Sequence, residues 1–317
     1  MTRALLILAL VAVSAAGAPA AETAAPRPSA APSGSGQAAE AADPRLQEAL
    51  QRYNAGTAAL LRHELESAVS QLRQAVRLDP TLADAHHNLG IALLQLGQPG
   101  PAIEAFQGAL ALSPDRVESR LGLAMAFRDG GDTSRAIAEL IQVVSRRAED
   151  PQPRLMLAGL YAKTGRPRAA AEQLREAARL LPSDASICFR LGLAAMEAGE
   201  LDWALEAFRK ATTLEPADAD AQYNLGLVTG AKIRALVDEK VATYRRAVEL
   251  KPDLADAHYQ LGVAYIQKAQ LGRVEEKRAL LQLALEEFRL FERFAPNDPK
   301  AATASHNIQV LEPQVVK

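Results

Sequence analysis

The chain has 317 residues, 49% of them apolar and 23% charged, with 36 Lys and Arg set against 38 Asp and Glu. This globular composition excludes wholesale disorder, and a net charge of -2 gives no reason to expect nucleic acid or an anionic membrane surface as the main partner. One cysteine excludes a disulfide framework and any multi-thiolate metal site, and 4% aromatics leave apolar burial mainly to Leu, Ala, Val and Ile.

The chain opens as an export signal does. Arg3 is the only early charge and precedes the apolar run Ala4 to Val13, followed by small residues from Ser14 to Ala20. Ala18-Pro19-Ala20 is an A-x-A site, which predicts a signal over 1–20 and cleavage between Ala20 and Ala21. The mature protein is then periplasmic in a bacterium with an outer membrane and secreted otherwise. The apolar run is shorter than the roughly 20 residues a membrane span needs, which favours a cleaved signal; an uncleaved inner-membrane anchor is the alternative. A lipoprotein is disfavoured, because the single cysteine, Cys188, is far from the cleavage site. Residues 21–44 hold Pro26, Pro28, Pro32, Gly34 and Gly36 with no large apolar side chain, and read as a disordered linker.

A 34-residue repeat organises the rest of the chain. Ala68, Ala102, Ala136, Ala170 and Ala204 are each 34 apart. Ala68-x3-Leu72-x2-Ala75-x4-Pro80 returns as Ala102, Phe106, Ala109, Pro114, as Ala170, Leu174, Ala177, Pro182, and as Ala204, Phe208, Ala211, Pro216. Tyr244, Ala247 and Pro252 come next with two extra residues, and Ala284, Phe288, Phe291 and Pro296 with ten. Leu89-Gly90, Leu191-Gly192, Leu225-Gly226 and Leu261-Gly262 share one phase in the other half of the repeat. Apolar residues recur every three or four positions, short Gly- and Pro-bearing breaks intervene, and no alternating run appears, so each repeat predicts two helices. Small residues such as Gly90 and Ala102 allow close approach, and Leu89, Leu93 and Phe106 fill the layer between repeats.

This pattern resembles the tetratricopeptide repeat (TPR) family over residues 45–311. The resemblance implies an all-α fold, an α-solenoid with a right-handed superhelix of antiparallel helix pairs. Seven repeats run 49–82, 83–116, 117–150, 151–184, 185–218, 219–254 and 255–298. A capping helix covers 299–311 and a tail 312–317. The sixth repeat lacks the recurring second-helix Ala and has Lys240 in its place.

The family's implied role is a protein–protein interaction scaffold that holds a protein or peptide in a concave groove lined by first helices, with no enzyme activity, no cofactor, no metal and no nucleic acid. The fifth and sixth positions of each repeat would line it: Tyr53 and Asn54, His87 and Asn88, Phe189 and Arg190, Tyr223 and Asn224, Tyr259 and Gln260, with Leu121, Gly122, Leu155 and Met156 between. Asn54, Asn88 and Asn224 would anchor a peptide backbone as the asparagines of O-GlcNAc transferase repeats do, and the aromatics would cover apolar side chains. No repeat carries the basic fifth and Asn ninth positions of the chaperone-tail clamp, so an acidic C-terminal tail is not the expected ligand. The expected setting is assembly of a cell-envelope or secreted complex. The alternatives are a non-catalytic subunit or regulator of an envelope enzyme complex, or a membrane-tethered assembly factor. Self-association through the end repeats is open to such an array.

Catalytic constellations are not apparent. His63, His86, His87, His258 and His306 are scattered; His86 and His258 fall at the fourth position, read as structural. Cys188 falls there too and reads as a packed thiol, and Trp203 as a packing residue. The glycines of Gly159 to Gly165 are six apart, with Lys163 before the second, which does not fit a phosphate loop. The charged insertion Gln267 to Arg278 reads either as two lengthened solvated helices or as a partner contact on the rim.

Overall fold

The computed structural model describes residues 43–316. The export signal, its Ala20–Ala21 cleavage site and the linker to residue 42 lie outside the described residues. Those residues form fourteen helices and no strand, so the fold class is all-α. Contacts divide them into two compact parts, one ending at Pro182 and one beginning at Ser183.

The first part holds four helix pairs. They are α1 (Pro44–Leu61) with α2 (Leu65–Leu78), α3 (Ala83–Gln95) with α4 (Pro99–Leu112), α5 (Val117–Asp129) with α6 (Thr133–Arg146), and α7 (Pro151–Lys163) with α8 (Pro167–Leu180). Each helix packs on the next in the chain, and the first helices also meet one another, α1 on α3 and α3 on α5. The second part holds α9 (Ala185–Glu197), α10 (Leu201–Leu214), α11 (Ala219–Leu250), α12 (Ala255–Leu271), α13 (Val274–Phe294) and α14 (Ala301–Val316). α1 begins one residue before the expected array, with Asp43 accepting the Arg45 N–H as its cap. The final helix runs through Val316, so most of the expected tail is helical.

The break inside each pair is one motif used five times. Gly97, Gly131, Gly165 and Gly199, 34 apart, have φ of 71°, 85°, 66° and 77°. After each, a backbone N–H reaches the carbonyl five residues back: Gln98 to Leu93, Asp132 to Phe127, Arg166 to Tyr161 and Glu200 to Ala195. A left-handed residue followed by this bond ends the helix and reverses the chain. The first repeat places His63 there, with φ 60° and the Glu64 N–H bonded to the Ala59 carbonyl. A side chain in this region costs roughly 1 kcal/mol, which glycine avoids. His63→Gly is therefore expected to raise stability by about 1 kcal/mol, read as a higher urea midpoint; an unchanged or lower midpoint would contradict the motif.

The core repeats with the same period. Ala68, Ala102, Ala136, Ala170 and Ala204 are all wholly buried, as are Leu72, Phe106, Leu140 and Phe208 four residues after them. Glycines on first helices take the rings: a Cβ on Gly90 would lie 2.8 Å from the Phe106 ring, one on Gly192 2.6 Å from Phe208 and one on Gly262 3.0 Å from Phe288. Removing the side chain lets the two backbones close on the ring between them.

The sixth repeat departs from this plan. Two helices are expected over 219–254, yet α11 runs unbroken for 32 residues, about 48 Å at 1.5 Å per residue. The cause is local. The next left-handed position, 34 beyond Gly199, is Ile233. A β-branched residue is barred from that conformation, so the helix continues. Gly230 lies out of phase and has an ordinary helical backbone. The charged insertion also takes definite form: α12 and α13 are lengthened helices joined at Gly272 and Arg273, and Lys268 pairs with Asp238 of α11 at 2.6 Å.

Candidate partner-binding face

Fifth-position side chains serve the core more than a ligand. The His87 ring stands edge-on to Phe106 at 5.8 Å, Phe189 to Phe208 at 5.7 Å and Tyr259 to Phe288 at 5.7 Å. These three first helices thus lay an aromatic against the second helix of their own repeat. His87 is also fully buried, with Nδ1 hydrogen-bonded to Ser119 Oγ of α5 at 2.9 Å. Tyr53 is half-buried against the same core. Tyr223 alone among these is widely exposed, at 66%.

Sixth-position side chains do not form one asparagine ladder. Asn54 and Arg190 are exposed, and Asn224 and Gln260 half-buried. Asn88 is fully buried and donates from Nδ2 to Thr57 Oγ1 of α1 at 3.0 Å. Asn224 donates to the Asp220 carbonyl of its own helix at 2.8 Å. His87 and Asn88 therefore correct the expectation of an exposed groove lining: they hold neighbouring first helices together. Leu121 and Gly122 are buried as well, while Leu155 and Met156 are half-buried.

The fourth position carries a role missed in the sequence. His86 Nε2 lies 3.1 Å from the Pro80 carbonyl and His258 Nε2 2.9 Å from the Pro252 carbonyl. Arg120 donates to Pro114 O, Arg154 to Ala148 O and Gln222 to Pro216 O, always six residues back. These donors satisfy the carbonyl at the end of the preceding repeat, which its helix leaves open. The signal was present as a polar residue at 86, 120, 154, 222 and 258. His258 adds Nδ1 to Glu287 at 2.6 Å, a structural pair on a nearly buried ring.

Cys188 takes the fourth position of its repeat and is buried. Burial pushes its thiol above the ordinary value, against the opposing pull of the Lys210 ammonium. The native chain should react with a thiol reagent at least about tenfold more slowly than the unfolded chain, because the thiolate is the nucleophile. Equal rates would contradict a packed thiol.

The exposed part of the first-helix face is best developed on α9 and the start of α11. Leu193 (42% exposed) and Leu227 (43%) occupy the same position of successive repeats, 34 apart. Arg190 lies one helical turn before Leu193, exposed and with no ion pair to another described residue. Asn224 lies one turn before Leu227. Two open apolar side chains flanked by a guanidinium and an amide can seat an extended segment with apolar side chains and a polar backbone.

Family models decide what the array is. The model described as TPR repeat matches 61–97, 192–232 and 238–268, and the one described as tetratricopeptide repeat matches 97–158. Together these spans exceed half of the chain. The chain belongs to the tetratricopeptide-repeat family. The gap between the TPR matches at 232 and 238 falls where α11 runs through its missing break. Among solved structures, the crystal structure of MamA protein is similar with a TM-score of 0.50 and 20% identity, covering 55% of this chain and 95% of its own. Two others have lower scores: YrrB, a TPR protein with an unusual peptide-binding site (0.49, 20% identity, 56% of this chain and 91% of its own), and MamA 41-end from Desulfovibrio magneticus RS-1 (0.48, 22%, 54% and 97%). The likeness to MamA protein shows the solenoid fold alone. Among curated proteins, none matches.

The TPR fold is generally a non-catalytic interaction scaffold, and TPR proteins bind protein or peptide partners. Among the described residues, no three His, Cys, Asp or Glu side chains gather as a metal site, and no helix is long and apolar enough to cross a membrane.

Proposed function

We propose that this TPR chain is an exported, non-catalytic scaffold that holds a protein or peptide segment on the first-helix face of its fifth and sixth repeats, in assembly of a cell-envelope or secreted complex. The observation that supports this reading is the pair Leu193 and Leu227, exposed at one repeat spacing beside Arg190 and Asn224. Apolar side chains left open on a TPR first helix have no internal layer to fill. Export rests on Arg3, the run Ala4 to Val13 and the A-x-A site at Ala18 to Ala20. Seating an apolar partner segment against two leucines would contribute a few kcal/mol, about 1.5–3 for each side chain fully buried.

The test is affinity capture from envelope extract with the mature chain beside a Leu193→Asp, Leu227→Asp variant. Both sites are exposed, so helicity and thermal midpoint should be kept while the captured partner is lost. Equal capture by the two chains would sink the site. Asn88→Ala is unsuited to this purpose, because its amide bonds Thr57 inside the array. The mass of the purified N-terminus separates the locations: Ala21 supports a cleaved signal, and Met1 a membrane tether.

A further inference from the structure

We infer that the straightened sixth repeat is an exchange surface for a second copy of this chain, in which each copy supplies the second helix that the other's sixth repeat lacks. Three observations within the second compact part meet here. In the regular repeats, the eighth-position glycine is covered by a large apolar side chain of its own second helix, as Gly56 is by Leu72, Gly192 by Phe208 and Gly262 by Phe288. Gly226 has nothing within 4 Å of where its Cβ would be. The fifth-position ring is covered by the same aromatic, as Phe189 is by Phe208 and Tyr259 by Phe288, whereas Tyr223 stands 66% exposed. One missing ring accounts for both openings.

The sequence contains that ring. Phe106 follows Gly90 by 16 residues and Phe208 follows Gly192 by 16; with two extra residues, Tyr244 is its equivalent after Gly226. On the straight helix, however, Gly226 and Tyr244 are about 27 Å apart, 18 residues at 1.5 Å each. Tyr244 instead lines an open cleft of about 590 Å³ beside Leu236, Val237 and Leu271. Each chain therefore carries both halves of a helix-pair interface, and a rigid helix keeps them from meeting.

Two copies related by a two-fold axis across α11 near residue 235 bring them together. Antiparallel pairing in that register sets each Gly226 against the other copy's Tyr244 and gives Tyr223 its cover. It also sets Arg234 near Glu239 of the other copy. Arg234 and Glu239 are exposed and form no ion pair with a described residue, so the charges are complementary where the helices cross. The contact is isologous and closes at two copies, the usual form of segment exchange. The cleft beside Tyr244 is the space the partner's Gly226 helix fills.

The test is the mass of the mature chain by light scattering over a wide concentration range, alone and as Gly226→Leu or Tyr223→Asp. Both positions are open in the lone chain, and leucine favours helix over glycine, so neither variant should lose helicity. The parent should reach twice the chain mass, and each variant should weaken dimerisation by at least about tenfold, because a leucine overfills the glycine contact twice per dimer. A parent that stays monomeric throughout overturns the proposal. So does a dimer that Gly226→Leu leaves intact, which would place the interface elsewhere. Leu193→Asp lies outside the exchanged register and should leave the dimer unchanged, so failure here and failure of the partner-binding reading are told apart.

Discussion

Phe106→Ala is expected to destabilise the array by about 4 kcal/mol, near the middle of the range for removing a fully buried phenylalanine. Phe106 is 0% exposed and sits where three elements meet. Its ring faces Gly90 of its own repeat and Gly122 of the next, where a Cβ would lie only 2.5 Å away, and takes the edge of His87. Two of those neighbours have no side chain to move into the space. The cavity therefore stays open, and the full cost of lost contacts is felt. In a repeat array the loss should be local before it is global. Hydrogen exchange should show α3 to α6 losing protection while α12 and α13 keep theirs. A loss below about 1 kcal/mol in urea unfolding would contradict the account of Phe106 as the joint between two repeats.

Gly192→Val is the second large effect, expected at about 3 kcal/mol. An added Cβ would lie 2.6 Å from two atoms of the Phe208 ring, itself wholly buried. Neither the ring nor the α9 backbone has room to withdraw, because Phe189 stands against the same ring at 5.7 Å. Shrinking the ring should then relieve the clash. The double variant Gly192→Val, Phe208→Leu should be more stable than the sum of the two single losses, with a coupling of about 1 kcal/mol in a thermodynamic cycle. Strict additivity would show that the glycine is not there for the ring.

Much of this architecture is written in the residues. The recurrence of Ala68 through Ala204, the prolines after second helices and the Leu-Gly pairs place twelve of the fourteen described helices in their repeats, and the last is the expected cap. The sixth repeat misleads because its second-helix markers, Tyr244, Ala247 and Pro252, are all present. What is missing is a single turn residue, and Ile233 carries that information at the place where Gly97, Gly131, Gly165 and Gly199 reverse the chain. A marker for a helix does not guarantee the break before it.

The candidate site is less legible. Asn54 and Asn88 are the same residue type at the same position, yet one is exposed and the other buried against Thr57. That difference depends on the neighbouring helix and not on the repeat's own sequence. The fourth-position donors are hidden for the opposite reason. His, Arg and Gln differ as side chains and share one geometry, a reach of six residues back to an open carbonyl. Leu193 and Leu227 follow the 34-residue period but resemble core residues until their exposure is known.

The most direct test of partner binding on the first-helix face is photo-crosslinking in intact cells. A photoreactive residue is placed at Leu193 or Leu227, and for comparison at Glu206 or Arg209, which are exposed on the second helix α10. The account predicts crosslinks to one and the same protein from both leucine positions and none to it from α10. Equal crosslinking from α10, or none from either leucine, would contradict it.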